Sequence, residues 1–320
     1  MKIEDAVGVV GARMQAANRK ERTRAEYCSE ARTFAVWFAR EKQSDATVRD
    51  LTVVNADEYL AALEKKAGGT LAAGTKHHRA GQLRAFTGHL ASALGWPSNP
   101  LAKFSAPKPE RREVGDAIGH ADMLRMLEEL TPPRSLVDAV TRGIVVLCYD
   151  CGPRTSETAG LQVADRLVVR AGEEAVGEFM KVSQPAKGGS ERILPLGVRA
   201  GEVIDDLVGH RTSGPLFVGR RGQELSIGAI QDRMQQLGQR LGIAVSVQRL
   251  RRTSASWQSA YGAATGHLDS VFGWKPNPAD VKSGHYIIPT AAQLLHAHQT
   301  LLSPLDRLEL HLGEPLRLVG

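Results

Sequence analysis

The feature that most constrains the fold is a break in the hydrophobic pattern near residue 105. The segment Ser105-Ala-Pro-Lys-Pro-Glu-Arg-Arg112 is rich in proline and basic residues and has no periodicity. Such a segment is typical of an extended linker. A chain of 320 residues is long enough for two domains that each bury a core. We therefore predict a first domain at 1–104, a linker at 105–113 and a second domain at 114–320.

The first domain has the sequence pattern of amphipathic helices. Apolar residues recur every three or four positions from Arg24 to Lys42, from about Ala56 to Lys66 and from about Thr75 to Leu94. Gly68-Gly69 and Gly95 follow the second and third of these stretches, as expected where helices end. The pattern predicts a small bundle that is entirely helical.

The positive charge of the chain is concentrated in this first part. Up to Arg112 there are 19 basic and 12 acidic residues, whereas the remainder has 22 basic and 23 acidic residues. A basic surface favours a polyanionic partner, although a merely solvated basic surface stays open as the alternative. The candidate phosphate contacts lie on or beside the third helix and in the linker: Lys76, Arg79, Arg84, Lys108, Arg111 and Arg112.

The second domain is predicted to be mostly helical with one small sheet. Helical periodicity covers His120 to Leu130, Ser135 to Tyr149, Ile227 to Leu241 and Gln248 to Tyr261. Between Arg166 and Leu196, three short apolar runs are separated by turns that contain glycine. The predicted fold class is therefore mainly α, with a small antiparallel β-sheet in the second domain.

The compartment and cofactor content follow from what the sequence lacks. Its apolar stretches are too short for a signal peptide or a membrane span, which predicts a cytoplasmic protein. Three cysteines are too few for a disulfide framework. Cys148-x-x-Cys151 leaves half a zinc site or a redox pair open, but no second ligand pair lies at suitable spacing. We expect neither a metal nor another cofactor.

The segment Gly152-Pro153-Arg154-Thr155-Ser156-Glu157 places an arginine at a predicted helix start. Thr155 or Ser156 can cap this helix, and backbone N–H groups and the helix dipole favour an anion there. Glu157 lies one turn away and is spaced to hold the Arg154 guanidinium. Taken alone, an arginine near a capped helix start is more often a surface residue.

Further motifs follow in a fixed order. Lys187-Gly-Gly-Ser-Glu-Arg192 lies in a predicted hairpin turn, Gln248-Arg-Leu-Arg251 opens a helix, and Gly273-Trp274 precedes Tyr286. This series resembles the tyrosine recombinase (phage integrase) family, whose catalytic domain carries Arg, Lys, His-x-x-Arg, His or Trp, and Tyr in that order. The helical first domain resembles the SAM-like core-binding domain of the family's two-domain Cre/Xer type, and Asn99-Pro100 falls where the family places this pair.

The resemblance implies a site-specific DNA recombinase that cleaves and rejoins strands through a 3′-phosphotyrosyl link. It implies that Arg154 and Arg251 bind the scissile phosphate, that Lys187 protonates the departing 5′ hydroxyl and that Tyr286 is the nucleophile. The covalent link conserves the energy of the phosphodiester bond, so rejoining needs neither ATP nor a metal. No GxxxxGK[ST] loop is present, in agreement with that chemistry.

Three more residues receive roles from the resemblance. Trp274 would donate its indole N–H to a phosphate oxygen, and Glu157 would support the first arginine. Gln248 stands where the family usually has histidine. An amide can hydrogen-bond a phosphate oxygen but cannot accept a proton as a general base.

Several alternatives stay open at this point. Tyr261 is the rival nucleophile, Lys181 is the rival to Lys187, and His285 is a neighbour that could take part. The spacing from Trp274 to Tyr286 is about three residues longer than the family usually shows. Functional alternatives are a DNA-binding protein of the same fold with weak or lost cleavage, a type IB topoisomerase, and a non-enzymatic interaction protein.

The end of the chain predicts contacts beyond the catalytic residues. A helix is expected from Ala291 to Leu302, followed by a tail, Leu308 to Leu318, with alternating apolar residues. Those leucines need a partner surface, in the same domain or in a neighbouring protomer. The resemblance implies exchange between protomers of a tetramer on double-stranded DNA. A first domain that starts near residue 1 also predicts a simple-site recombinase without an arm-binding domain.

Overall fold

The computed structural model describes residues 1–63, 68–106, 117–171, 174–183, 191–275 and 291–310. The chain divides into two compact units, Met1–Arg112 and Glu113–Gly320. Most of the predicted linker lies outside the described residues, and so do Lys108, Arg111 and Arg112. The linker and its phosphate contacts therefore stay predictions.

The described part of the first unit is built from helices, as its periodicity predicts. The helices are α1 (Ile3–Ala16), α2 (Glu21–Lys42), α3 (Val53–Ala62) and α4 (Ala73–Leu94), with a short 3-10 turn at Val48–Asp50.

Three of these helices differ from the prediction. Helix α2 begins at Glu21, three residues before the predicted Arg24. Helix α1 was not predicted, although Ile3, Val10 and Met14 recur at helical spacing and are fully buried. Helix α3 begins three residues earlier than expected because Thr52 caps it, with its Oγ accepting a hydrogen bond from the Asn55 N–H at 3.2 Å.

The second unit combines helices with one sheet. Its elements are α5 (His120–Glu129), α6 (Leu136–Asp150), α7 (Thr155–Gly160), β1 (Arg166–Ala171), β2 (Glu174–Val182), β3 (Arg192–Leu196), α8 (Val198–Val208), α9 (Ile227–Leu241), α10 (Val247–Ala260), α11 (Thr265–Phe272), α12 (Ala291–Ala297), a π turn (His298–Leu302) and α13 (Pro304–Leu310).

The three strands form one antiparallel sheet in the order β1-β2-β3. Leu167 lies opposite Phe179, and Met180 lies opposite Leu194, so the apolar runs pair with one another. Met180 and Leu194 are fully buried. The predicted fold class, mainly α with a small antiparallel sheet in the second domain, is confirmed.

Helix α6 lies at the centre of the second unit and leads into the candidate site. It is capped by Ser135, whose Oγ accepts a hydrogen bond from the Asp138 N–H at 3.2 Å. From Gly143 to Asp150 every residue is buried. The helix is followed by Gly152, which has φ of +60°. A Cβ at this position would lie 2.4 Å from the Phe272 ring, so the turn that delivers Arg154 requires glycine.

The C-terminal part of the chain packs on its own unit as far as it is described. Leu305 and Leu308 on α13 are buried. The first residues of the predicted tail are therefore helical, whereas residues 311–320 lie outside the described part. Among the described helices, none combines the length and apolarity that crossing a membrane requires.

Candidate active site

Arg154 occupies the N-cap position of the short helix α7. Its backbone N–H donates to Glu157 Oε2 at 2.7 Å, and its Nη1 donates to Glu157 Oε1 at 2.9 Å. The helix begins at Thr155, as the sequence predicts, but its N-cap residue is Arg154 and not Thr155 or Ser156, and the Glu157 carboxylate accepts the Arg154 N–H. Glu157 thus holds Arg154 by both backbone and side chain.

Arg251 lies on the first turns of α10 and is buried, with 4% of its surface exposed. Its Nη1 donates to the Gly152 carbonyl at 2.5 Å, and its Nη2 donates to the Phe272 carbonyl. The guanidinium lies 5.2 Å from the centre of the Phe272 ring. A charged side chain so enclosed is fixed in position before any ligand arrives.

A third arginine, Arg192, joins these two residues, and the sequence patterns gave it no role. It opens strand β3, and its side chain is 5% exposed. Its Nη1 and Nη2 donate to Glu157 Oε1 and Oε2 at 2.9 and 2.7 Å, a bidentate pair. The only sequence signal was a charged residue at the start of an apolar strand. Glu157 lies 35 residues away, which no local pattern can detect.

The three arginines share one end of helix α11. Arg192 Nε donates to the Val271 carbonyl at 2.8 Å, Arg251 donates to the Phe272 carbonyl, and Arg154 Nη2 donates to the Gly273 carbonyl at 3.1 Å. Carbonyls at the end of a helix lack helical partners and carry partial negative charge. Three consecutive carbonyls therefore align Arg154, Arg192 and Arg251, which with Glu157 we call the arginine cluster.

The electrostatics of the arginine cluster follow from this crowding. Burial, followed by the charges of Arg154 and Arg192, lowers the pKa of Arg251 to about 10. Burial acts to raise the pKa of Glu157, but the hydrogen bonds and charge of Arg192, followed by the hydrogen bonds of Arg154, bring it down to about 2. Arg251 and Glu157 are thus ionised at neutral pH. One carboxylate among three guanidiniums leaves an excess of positive charge that an anion would offset.

The two further predicted residues that the structure describes are both exposed. Trp274 directly follows the Gly273 carbonyl, is 45% exposed and stacks on Phe272 with ring centres 5.1 Å apart. Gln248 is exposed on the first turn of α10, three residues before Arg251. The structure therefore brings Arg154 and Glu157 together by direct contacts. Arg251 is held beside them by the Gly152 and Phe272 carbonyls, and Trp274 follows the carbonyl that holds Arg154.

Lys187 and Tyr286 lie outside the described residues, as does His285, so their roles stay predictions. The rival lysine, Lys181, lies near the end of β2 with its Nζ 3.6 Å from Glu191 Oε2.

The remaining tyrosines are all placed by the structure. Tyr59 and Tyr149 are fully buried, and burial raises the pKa of both hydroxyls. Tyr27 is half-buried against His89. Tyr261 ends α10, where its ring stacks on Trp257 and lies under the Arg307 guanidinium at 4.4 Å. Burial also raises the pKa of Tyr261.

The cysteine pair does not form part of a metal site in the described residues. Cys148 and Cys151 are buried free thiols. Burial raises the pKa of Cys148 to about 12 and that of Cys151 well above its usual value. No group of three or more His, Cys, Asp or Glu side chains that could hold a metal occurs within the described part of the chain.

The basic candidates of the first unit have different surroundings. Arg79 turns toward the interior, where its Nε lies 2.8 Å from Oε2 of the buried Glu30 and its Nη2 donates to the Tyr59 hydroxyl at 2.8 Å. Because Glu30 would otherwise be an unpaired buried charge, we assign Arg79 to packing and no longer to phosphate contact. Arg84 is exposed and donates to the Phe104 carbonyl at 3.0 Å, and Lys76 is half-exposed.

A second buried charge network, also missed in the sequence, lies at the end of α6. The Asp150 carboxylate accepts from the Gly197 N–H at 2.8 Å and from Ser303 Oγ at 2.6 Å, and Asp150 Oδ2 lies 3.0 Å from His298 Nε2. The side chains of Asp150 and His298 are 0% exposed. We call Asp150, His298 and Ser303 the Asp150 network. It ties the C-terminal segment to the helix that leads into the arginine cluster.

Comparison with known proteins identifies the family. Residues 117–279 match the model of the phage integrase family, which is half of the chain and holds the whole arginine cluster. The chain belongs to the phage integrase family. The match ends before Tyr286.

Curated relatives within this family are tyrosine recombinases. The XerC protein of Pelobacter propionicus is 29% identical over 213 residues, which cover 65% of this chain and 66% of that protein. XerC of Shewanella amazonensis is 33% identical over 166 residues, covering 50% of this chain and 52% of that protein. The chain thus aligns with about half to two thirds of the length of these relatives.

Solved integrase structures share the fold. A λ integrase fragment bound to DNA has a TM-score of 0.61 at 15% identity, covering 93% of this chain and 97% of that one. The Tn1549 transposon integrase, in complex with circular intermediate DNA, has a TM-score of 0.60 at 14% identity, covering 92% and 97%. At these identities the likeness concerns the fold alone.

Proposed function

We propose that this chain is a site-specific DNA recombinase that breaks and rejoins strands through a 3′-phosphotyrosyl intermediate. The observation that carries the proposal is the arrangement of Arg154 and Arg251 at the end of α11. Both guanidiniums are held by carbonyls of consecutive residues, and the arginine cluster has an excess of positive charge beside the exposed Trp274. Such an arrangement suits a phosphate that gains negative charge in a pentavalent transition state.

Tyr286 is the proposed nucleophile. Its unperturbed pKa near 10 means that forming the phenolate at pH 7 costs roughly 4 kcal/mol unless neighbouring cations favour the anion. The arginine cluster supplies such cations. The burial of Tyr59 and Tyr149 supports Tyr286 by elimination, and so does the stacking of Tyr261 between Trp257 and Arg307.

Two further residues, Lys187 and Gln248, are proposed to act on the leaving oxygen and on the phosphate. Lys187 is the proposed acid for the departing 5′ hydroxyl, since the cleavage step must return a proton to that oxygen. Gln248 donates a hydrogen bond to a phosphate oxygen, because its amide cannot act as a base. The proton of Tyr286 then passes to water, which predicts slower cleavage than a histidine at this position would give.

Double-stranded DNA is the proposed partner, with Lys76 and Arg84 of the first unit and Lys108, Arg111 and Arg112 of the linker as phosphate contacts. We further propose a tetramer on two DNA sites, acting in the cytoplasm. The λ integrase structures that share the fold include a tetramer bound to a Holliday junction, which supports the tetramer proposal for this chain.

The test uses short DNA duplexes with a random central sequence and a nick that lets the cleaved end diffuse away. The parent protein should form a covalent DNA adduct that survives denaturing electrophoresis. Sequencing the trapped DNA would then give the target site. No adduct at any DNA sequence would favour the alternative of a DNA-binding protein that does not cleave.

Matched tyrosine variants make the result specific. Tyr286→Phe should abolish the adduct, whereas Tyr261→Phe should retain it. Relaxation of supercoiled plasmid without a preferred site would indicate a type IB topoisomerase instead.

A further inference from the structure

Arg192 has a position that its packing alone does not explain. It lies outside the pair of arginines that the family motif assigns to the phosphate. It nevertheless contacts the carboxylate that holds Arg154 and the helix end that holds both Arg154 and Arg251. A Cβ added to Gly273 would lie 3.2 Å from Arg192, so the Gly273 backbone packs closely against the Arg192 guanidinium. The side chain is 5% exposed and therefore cannot reach DNA at the surface.

The charge of Glu157 shows what Arg192 contributes. Glu157 is needed to hold Arg154, but a carboxylate 2.9 Å from that guanidinium would also neutralise it. Arg192 binds both oxygens of the same carboxylate. With Arg192 present, one cation compensates Glu157, and Arg154 and Arg251 are left with two positive charges for a ligand. Without it, Glu157 would cancel one of them.

We propose that Arg192 is a positioning residue for phosphoryl transfer, which compensates Glu157 and fixes it so that Arg154 keeps its charge and its direction. This inference rests on the proposed function of the site. A lysine at position 192 would not replace arginine, since one ammonium cannot give parallel hydrogen bonds to both carboxylate oxygens and also reach the Val271 carbonyl. The residue acts through Glu157 and not by contact with DNA.

The decisive experiment pairs a single and a double variant. Arg192→Met should form the covalent DNA adduct about 100-fold more slowly, which is the typical effect of losing one charge-stabilising group. The double variant, Arg192→Met with Glu157→Gln, should form the adduct at least tenfold faster than Arg192→Met alone, because no carboxylate then competes for Arg154. A factor of this size is on the order of one charge–charge interaction. A purely structural role predicts the opposite, since the double variant removes more contacts.

A matched control is available in the same sheet. Arg166 on β1 is 17% exposed and forms a bidentate pair with Glu178 on β2, at 3.0 and 2.7 Å, away from the arginine cluster. Arg166→Met combined with Glu178→Gln should reduce the melting temperature without changing the rate of adduct formation per folded molecule. If Arg192→Met does not fold, Arg192→Lys replaces it and should still slow the reaction at least tenfold.

A second measurement separates this inference from the proposed function. Inorganic phosphate should raise the melting temperature of the parent and of the double variant, and this rise should be reduced in Arg192→Met. If the parent forms no adduct but this phosphate pattern is found, Arg192 still preserves the charge of Arg154 for an anion, and the recombinase proposal fails. Three results would each overturn the inference. In the first, Arg192→Met equals the parent in both measurements. In the second, the double variant forms the adduct no faster than the single variant, and in the third, the parent gains no stability from phosphate.

Discussion

The arginine cluster and the Asp150 network both contain a buried carboxylate, but they differ in what surrounds it. In the Asp150 network the carboxylate is held by one histidine, a hydroxyl and a backbone N–H, and the side chains of Asp150 and His298 are 0% exposed. In the arginine cluster three cations face one carboxylate, and the Arg154 side chain is 30% exposed. A closed network whose carboxylate is fully held by its neighbours is suited to stability, whereas an excess of positive charge with an opening is suited to binding.

The largest expected effect concerns the Asp150 network. Asp150→Ala leaves the three buried partners of the carboxylate unpaired, and we expect it to lower the free energy of unfolding by about 3–5 kcal/mol. Asp150→Asn, which keeps the shape and some of the hydrogen bonds, should cost less. Urea denaturation of both variants measures this difference. A loss below about 1 kcal/mol for Asp150→Ala would mean that the network does not hold the C-terminal segment.

The matching change in the arginine cluster should affect rate more than stability. Arg251→Met should slow adduct formation by about 10²–10³-fold, equivalent to about 2.7–4 kcal/mol of transition-state stabilisation. Its free energy of unfolding should change by less than about 2 kcal/mol, because two lost hydrogen bonds are offset by relief of repulsion from Arg154 and Arg192. Adduct kinetics and urea denaturation together test the contrast. If Arg251→Met is less stable than Asp150→Ala but forms the adduct at the parent's rate per folded molecule, the contrast between a binding cluster and a stabilising network is wrong.

Acid should destabilise the second unit in two separate pH ranges. Burial, with a smaller effect from His298, lowers the pKa of His267 to about 4, so stability from its neutral form is complete above pH 6.5 and is lost toward pH 4. The pKa of Glu157 is lowered to about 2, so stability from its carboxylate is complete above about pH 4.5 and is lost toward pH 2. Each range should account for about 3 kcal/mol.

Denaturation at a series of pH values measures these losses. His267→Leu should remove the step above pH 4, and Glu157→Gln should remove the step below it. If His267→Leu instead removes the lower step, the assignment of the two groups is reversed.

The smallest effect is expected at Gln248, which is exposed on the first turn of α10. Gln248→His supplies a group that can accept a proton, and we expect adduct formation to become about tenfold faster, equivalent to about 1.4 kcal/mol. Stability should stay within about 0.5 kcal/mol, because the residue is exposed. Single-turnover kinetics at pH 6 to 9 would show whether the rate of adduct formation gains a pH dependence from the introduced histidine. A rate that is unchanged at every pH would mean that proton removal from Tyr286 does not limit cleavage.

The parts of the fold that sequence predicted are those with local signals. Helix α6 has both an apolar pattern and the cap at Ser135, and the β1–β3 sheet has apolar runs separated by glycine turns. Helix α8 was missed because it contains Gly201 and directly follows an apolar strand. Helix α11 was missed because it begins with Thr265 and Gly266, which have low helix propensity.

The candidate site was predictable only in part. Arg154, Glu157 and Arg251 lie in local motifs, so their order along the chain was informative. Arg192 and His298 function through partners 35 and 148 residues away, and such pairings depend on tertiary packing and not on local pattern. Buried charge pairs of this kind have no periodic signature.

The most direct test of the account is to locate the DNA on the protein after the parent has reacted with the nicked duplexes. Trypsin should release Tyr286 within residues 283–307 and Tyr261 within residues 253–282, since Lys275 precedes proline and is not cleaved. Mass spectrometry of the nuclease-trimmed adduct should find the added nucleotide on peptide 283–307, at Tyr286. A nucleotide on peptide 253–282, or its absence from both peptides, would contradict the assignment of the arginine cluster to a phosphate attacked by Tyr286.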